Sequence, residues 1–147
     1  MKKLLSTFSL FILTTASIAQ TKQQTLEYIN EVFRTHNDRT NFSDISEKSP
    51  TTLIYSYEML TTTITYEFNP KNGISFLISS NPRKSEYTIS FKKNSVKRKM
   101  KGSDEELSDT VEISNLIGMS EKEIQKFTKA LKYLFKLYGG NLRDPAF

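Results

Sequence analysis

The chain has 147 residues, a formal net charge of +5 at pH 7 and an aromatic content of 12%. This length fits a single domain, and ten Phe and seven Tyr supply enough apolar surface for a core, so the composition excludes a disordered chain. The absence of cysteine excludes disulfides, thiolate metal sites and cysteine nucleophiles.

Residues 1–19 are predicted to be a secretory signal peptide. Two lysines precede an apolar run that includes Leu10, and small residues at positions 17 and 19 precede Gln20. The run is shorter than the roughly 20 apolar residues that cross a bilayer. We therefore expect a secreted or periplasmic protein without a transmembrane segment, in which residues 20–147 form one domain. That location excludes functions that need cytosolic nucleotides or chromosomal DNA, and no nucleic-acid partner is expected.

A helix is predicted over residues 22–35. Its apolar positions recur every three or four residues, as in an amphipathic helix: Leu26, Ile29, Val32 and Phe33. Thr21 and Gln24 fit a capping box at its start. The stretch from His36 to Pro50 is rich in Ser, Asn and Asp, and is predicted to be a connecting loop.

The middle of the chain has the composition and alternation of β-strands. Residues 51–68 are rich in Thr, Tyr and Ile, which favour a pleated surface. The segment 59–62 has no typical turn residue, which leaves open whether one strand or two lie here. Further alternation predicts strands at 74–78 and 87–91, an edge strand at 96–100 and a short strand at 111–113. Residues 102–109 are predicted to be an acidic loop.

A second, longer helix is predicted from Ser120 to Tyr138. Its start, Ser120-Glu121-Lys122-Glu123, is an S-x-x-E capping box with acidic residues at the positive end of the helix dipole. Gly139 and Gly140 supply the left-handed stop. The apolar seam that should pack on the core consists of Ile124, Phe127, Leu131, Leu134 and Tyr138.

These elements predict an α+β fold with an N-terminal helix, an antiparallel sheet of four to five strands and a long C-terminal helix. Both helices are expected to pack on one face of the sheet, so that the other face is open. Tyr55, Tyr57 and Tyr66 are candidate binding residues on that open face, since aromatic and hydroxyl groups suit a protein, glycan or lipid ligand. Alternation alone does not decide which face is buried.

A basic segment lies between residues 92 and 101. Its candidate polyanion-binding residues are Lys92, Lys93, Lys97, Arg98, Lys99 and Lys101. Such a cluster attracts phosphate or sulfate groups of a glycan, lipid or lipopolysaccharide. The alternative is a protruding hairpin that its lysines keep unpaired, and the acidic stretch 104–109 is close enough in sequence to neutralise it.

Catalytic motifs are absent from the sequence. His36 is the only histidine, and no nucleophile elbow, zinc-protease motif, phosphate loop or dinucleotide fingerprint occurs. Glu58 and Glu67 are the remaining carboxylate pair on predicted strands, and a solvated polar face explains them. We expect no catalytic, cofactor-binding or metal-binding residues.

The end of the chain, from Lys129-Ala130-Leu131-Lys132-Tyr133-Leu134 through Gly139-Gly140 to Asp144-Pro145-Ala146-Phe147, resembles small exported bacterial proteins of unknown function. The resemblance implies a class of protein and assigns no residue roles. The sequence therefore predicts a non-enzymatic binding or interaction module, with inhibitor-like or immunity-like roles included, whose partner is an envelope or extracellular protein. The alternative is a binder of small ligands or polyanions that uses the open sheet face and the basic segment. Its oligomeric state is not predicted.

Overall fold

The computed structural model describes residues 21–38, 40–81 and 83–144. The predicted signal peptide lies outside these residues. Helix α1 covers residues 21–36. It is followed by β1 (Phe42–Ser49), β2 (Thr52–Met59), β3 (Thr62–Phe68), a short 3-10 helix (Pro70–Asn72), β4 (Gly73–Ser80), β5 (Lys84–Phe91), β6 (Val96–Met100), β7 (Glu105–Ser108), β8 (Thr110–Ile117) and α2 (Glu121–Leu137).

The strands form two antiparallel sheets. The main sheet has five strands in the order β1-β2-β3-β6-β7, and a smaller sheet has the order β4-β5-β8. The predicted α+β fold with two terminal helices and five strands in the main sheet is confirmed. The smaller sheet was not predicted: β6 returns to pair with β3 rather than with β5, so the β4–β5 hairpin is left to form a sheet with β8.

One cluster of buried side chains joins both sheets and both helices. The Phe33 ring of α1 lies 5.7 Å from the Tyr55 ring of β2. The Phe135 ring of α2 lies 6.0 Å from Phe68 of β3 and 5.9 Å from Phe91 of β5. Both helices therefore pack on the same face of the five-stranded sheet, and α2 also contacts the three-stranded one.

The capping signals of α2 are present as predicted. The Glu123 backbone N–H donates to the Ser120 hydroxyl at 3.3 Å, and the Glu123 carboxylate accepts from the Ser120 backbone N–H at 2.8 Å. Gly139 follows the helix with a φ of 79°, in the left-handed region that favours glycine. Local sequence therefore determines both ends of this helix.

Two predicted loops contain strands, and the predicted edge strand is an inner one. The expected loop before Pro50 contains β1, whose polar sequence pairs along the whole of β2. The expected acidic loop contains β7, which pairs with β6, so β6 is an inner strand of its sheet and not an edge. The undecided segment after Glu58 is a turn at Leu60 and Thr61 between β2 and β3.

Candidate functional site

The basic segment runs through β6, and the structure divides its side chains between two faces. Lys97 and Lys99 lie on the outer face of the five-stranded sheet, while Arg98 lies on the inner face, because successive residues of a strand alternate. Lys97 Nζ lies 3.6 Å from Glu105 Oε1, and Arg98 forms an ion pair with Glu106. Strand β7 therefore places acidic side chains beside the basic ones.

This pairing reduces the charge that the segment offers to an anion. Within the described part of the chain, four of the predicted polyanion-binding residues form no ion pair and are exposed: Lys92, Lys93, Lys99 and Lys101. They are spread over both ends of β6 and its outer face. What remains for a polyanion is a dispersed set of lysines.

Tyr55, Tyr57 and Tyr66 lie on the buried face of the five-stranded sheet, so their predicted place on an open surface is wrong. Alternation shows which residues share a face, and these tyrosines share theirs with Leu53 and Phe68. Burying the aromatic face removes more apolar area from water than burying the opposite one, which consists mainly of Ser, Thr and charged residues.

The hydroxyl groups of these tyrosines have partners inside the protein. The Tyr55 hydroxyl lies 3.3 Å from the Ser43 hydroxyl, and the Tyr57 hydroxyl accepts a hydrogen bond from the Asn115 amide of β8. Burial raises the pKa of Tyr55 and of Tyr66, although a hydrogen bond with Arg98 opposes the shift at Tyr66. Tyr57 thus joins the two sheets, and none of the three is available to an external ligand.

The outer face of the five-stranded sheet is polar and offers little aromatic surface. Its hydroxyl residues include Ser46, Ser56, Thr63 and Thr65. Glu67 bonds to Lys48 at 2.6 Å, and Glu58 lies opposite Thr63, so the two glutamates do not form a carboxylate pair. Among the described residues of this face, the one aromatic side chain is Phe42, at the start of β1. A sugar-stacking platform is therefore not present here.

A groove between α1 and α2 is a concave surface formed by described residues of both helices. Its first half has a volume of about 300 Å³ and is lined by Thr21, Gln24, Thr25, Tyr28, Ala130 and Tyr133. Its second half has a volume of about 260 Å³ and is lined by Tyr28, Glu31, Val32, Thr35, His36, Glu123 and Lys126. The two halves share Tyr28, and together they are called the helix groove below.

Two tyrosines and a set of charges define the helix groove. Tyr28 of α1 and Tyr133 of α2 keep 36% and 46% of their surface exposed. Burial raises the pKa of Tyr28, and the negative charges of Glu123 and Glu31 raise it further. Sequence reasoning missed this site. The available signal was a large aromatic residue on the polar side of each amphipathic helix.

His36 closes the second half of the groove. Its Nδ1 lies 2.9 Å from the Ile117 carbonyl oxygen, and its Nε2 lies 3.5 Å from Glu123 Oε1. Hydrogen bonds from the Ser120 hydroxyl and backbone N–H lower the pKa of Glu123, and His36 contributes to the same shift. The histidine therefore holds the end of α1 against β8 and the start of α2.

Comparisons with protein-family models, curated proteins and solved structures found no match to this chain. The helix groove is therefore interpreted from its geometry. Across residues 21–38, 40–81 and 83–144, no group of three or more His, Asp and Glu side chains is placed to hold a metal ion. None of the helices in that part of the chain is long and apolar enough to cross a membrane.

Proposed function

We propose that this chain is an exported, non-enzymatic protein-interaction module, which binds an amphipathic helix of its partner in the helix groove. The observation that carries the proposal is the pair of half-exposed tyrosines, Tyr28 of α1 and Tyr133 of α2, which line the groove between the two helices. Tyrosine is enriched at protein interfaces, where its ring is buried and its hydroxyl finds a partner. Export is supported by the sequence of residues 1–19.

The charges along the groove favour a helix with two differently charged flanks. On α1, Glu31 lines the groove, and the exposed Glu27 lies one turn before it. On α2, Lys126 and Glu123 line the groove, but Glu123 is bound by Ser120 and His36, and the exposed Lys122 and Lys129 lie one turn from Lys126 on either side. A partner helix with Lys or Arg toward α1 and Asp or Glu toward α2 complements both walls, and its apolar face covers the tyrosines.

The experiment is site-specific photo-crosslinking in cells that export the protein. A photoreactive phenylalanine analogue at Tyr28 and, separately, at Tyr133 should capture the same partner. The matched control is the analogue at Leu60, which is 82% exposed on the far β2–β3 turn. Capture of one protein from both groove positions and not from Leu60 supports the proposal. Capture from Leu60 alone, or from no position, contradicts it.

Polyanion binding is a second candidate function, favoured by the exposed lysines that have no acidic partner. Lys92, Lys93, Lys99 and Lys101 are the groups that would contact phosphate or sulfate. The pairing of β6 with β7 weighs against this function, since it neutralises Lys97 and Arg98. Retention on heparin that falls steeply with salt would favour it, because such contacts release counterions.

A further inference from the structure

Strand β4 is an outer strand of the three-stranded sheet, and its sequence does not protect its edge. Its eight residues, Gly73–Ser80, include no charged residue and no proline. Leu77 is 58% exposed on its outer side. Edge strands of monomeric proteins usually carry lysine, proline or a bulge that prevents pairing with another chain. The bulge of β4 lies at its start, between Gly73 and Ser75, and leaves its second half regular.

The hairpin that joins β4 to β5 shows which backbone groups face the open edge. Asn81 and Lys84 exchange hydrogen bonds of 3.0 and 3.3 Å, so they form a hydrogen-bonded pair of the antiparallel ladder. Such pairs alternate with pairs whose N–H and C=O groups point away from the partner strand. From the register, Ile78 and Ser80 therefore direct their backbone groups away from β5, toward the edge.

The first half of this edge already binds an extended segment of the same chain. Ser75 and Arg143 form a parallel bridge, and the Arg143 N–H donates to the Ile74 carbonyl at 3.0 Å. In a parallel ladder the next donor on that segment would be residue 145, which is a proline and has no N–H. Among the described residues, this segment pairs with Ile74 and Ser75 and does not reach Ile78 or Ser80.

The other edge strands, β1, β7 and β8, each carry charged residues, and β1 and β8 also have partners for part of their backbone, within the part of the chain that the structure describes. On β1, the Asn30 side chain binds both backbone groups of Ile45, accepting from its N–H at 2.8 Å and donating to its carbonyl at 2.9 Å. Strand β7 has only four residues, including two glutamates. On β8, Leu116 forms a bridge with Asn37. Among the described edge strands, β4 alone has no charged residue, and the N–H and C=O groups that point outward from its second half have no partner strand.

We propose that the second half of β4 pairs with the same segment of a second copy of this chain. In an antiparallel arrangement with the two-fold axis at Ser79, Ile78 of each copy faces Ser80 of the other, and each facing pair exchanges both of its N–H···O bonds. A second copy fits because the strand has no charge that would repel its own image. The two three-stranded sheets then form one continuous sheet. The contact is small, so the dimer dissociates on dilution.

The test is sedimentation equilibrium of the mature protein over a wide concentration range, with two disruptive variants and one matched control. Ser79→Lys places two lysines opposite each other at the axis, and Ser80→Pro removes an N–H that the pairing needs. Both should abolish self-association at concentrations where the wild type dimerises. Ser46→Lys, on the exposed outer face of β1, should dimerise as the wild type does. Thermal unfolding of each variant checks that it is folded.

Amide hydrogen exchange identifies the interface. Exchange of the Ile78 and Ser80 amides should slow as concentration rises, while the Asn81 amide, which donates to Lys84 within the hairpin, should not change. A wild type that is monomeric at every concentration overturns the proposal. Dimerisation that persists in Ser79→Lys and Ser80→Pro also overturns it, since the contact then lies elsewhere.

Discussion

The five-stranded sheet ends in strands that are charged or capped, whereas one end of the three-stranded sheet is β4, which has no charged residue and whose second half has no cap among the described residues. Strand β1 carries Asp44 and Lys48 and has Asn30 bound to its backbone, and β7 carries Glu105 and Glu106. The two sheets nevertheless share one core. Edge protection is therefore a property of each strand and does not follow from the packing beneath it.

Truncation of one side chain in the shared core should lower the stability of both sheets equally. Phe135→Ala should lower the free energy of unfolding by about 3–5 kcal/mol, because this fully buried ring contacts Phe68 of one sheet and Phe91 of the other. Lys136→Ala, at the exposed neighbouring position, is the control. Circular dichroism and tyrosine fluorescence should give coincident denaturant transitions. Two separate transitions would mean that the sheets unfold independently.

Removal of the cap on β1 should make the two sheets more alike. Asn30→Ala should cost about 1–3 kcal/mol of stability, since it leaves the half-buried N–H and C=O of Ile45 without their partner. It should also promote self-association through β1. Gln23→Ala, which removes an exposed hydrogen bond to Glu27, should do neither. Denaturant titration and light scattering measure the two effects, and self-association equal to that of the wild type would show that Asn30 does not protect this edge.

Alkaline pH tests the junction between the sheets. Burial raises the pKa of Tyr55, whose hydroxyl also interacts with the Ser114 backbone of β8. The folded state therefore resists ionisation, so the stability that this tyrosine contributes is fully present below its ordinary pKa of about 10 and is lost as pH rises above it. Denaturant curves between pH 8 and 11 should show this decline. Tyr55→Phe should flatten it, and an equal slope in the variant would assign the decline to other tyrosines.

Neutralising the two glutamates of β7 should remove the difference in charge between this edge strand and β4, and should leave the basic residues of β6 without their acidic partners. Glu105→Gln combined with Glu106→Gln should change stability by at most about 1 kcal/mol, because both ion pairs are largely exposed. The change frees Lys97 and Arg98, so retention on heparin should increase. Asp38→Asn together with Asp44→Asn, which removes two exposed charges outside these pairs, controls for net charge. Equal retention of the two double variants would show that β7 does not mask β6.

Local signals in the sequence predicted the helices and the strands with regular alternation. The capping box at Ser120 and the glycine after Tyr138 act within a few residues. Both ends of α2 could therefore be predicted without knowledge of its tertiary contacts. Strand β1 could not be predicted, because its sequence, FSDISEKS, has only one large buried apolar residue, Ile45, and it is held by β2 and Asn30.

The candidate sites depend on contacts that are distant in sequence. The exposure of Tyr55, Tyr57 and Tyr66 was wrongly predicted, because alternation does not state which face meets the helices. The neutralisation of Arg98 was foreseen as an alternative, since its acidic partner is only eight residues away. The helix groove requires the relative placement of α1 and α2, which no local pattern in the sequence contains.

The return of β6 to β3, past the β4–β5 hairpin, also determines how the chain can fold. The neighbouring hairpins close through short turns, and such hairpins form within microseconds. Joining Phe68 to Val96 instead closes a loop that contains a whole hairpin, and joining β5 to β8 closes another around β6 and β7. Loop closure costs chain entropy before any of these contacts is made, and proteins rich in such contacts fold in milliseconds to seconds. We therefore expect the docking of preformed hairpins, which completes both sheets, to limit the rate of folding.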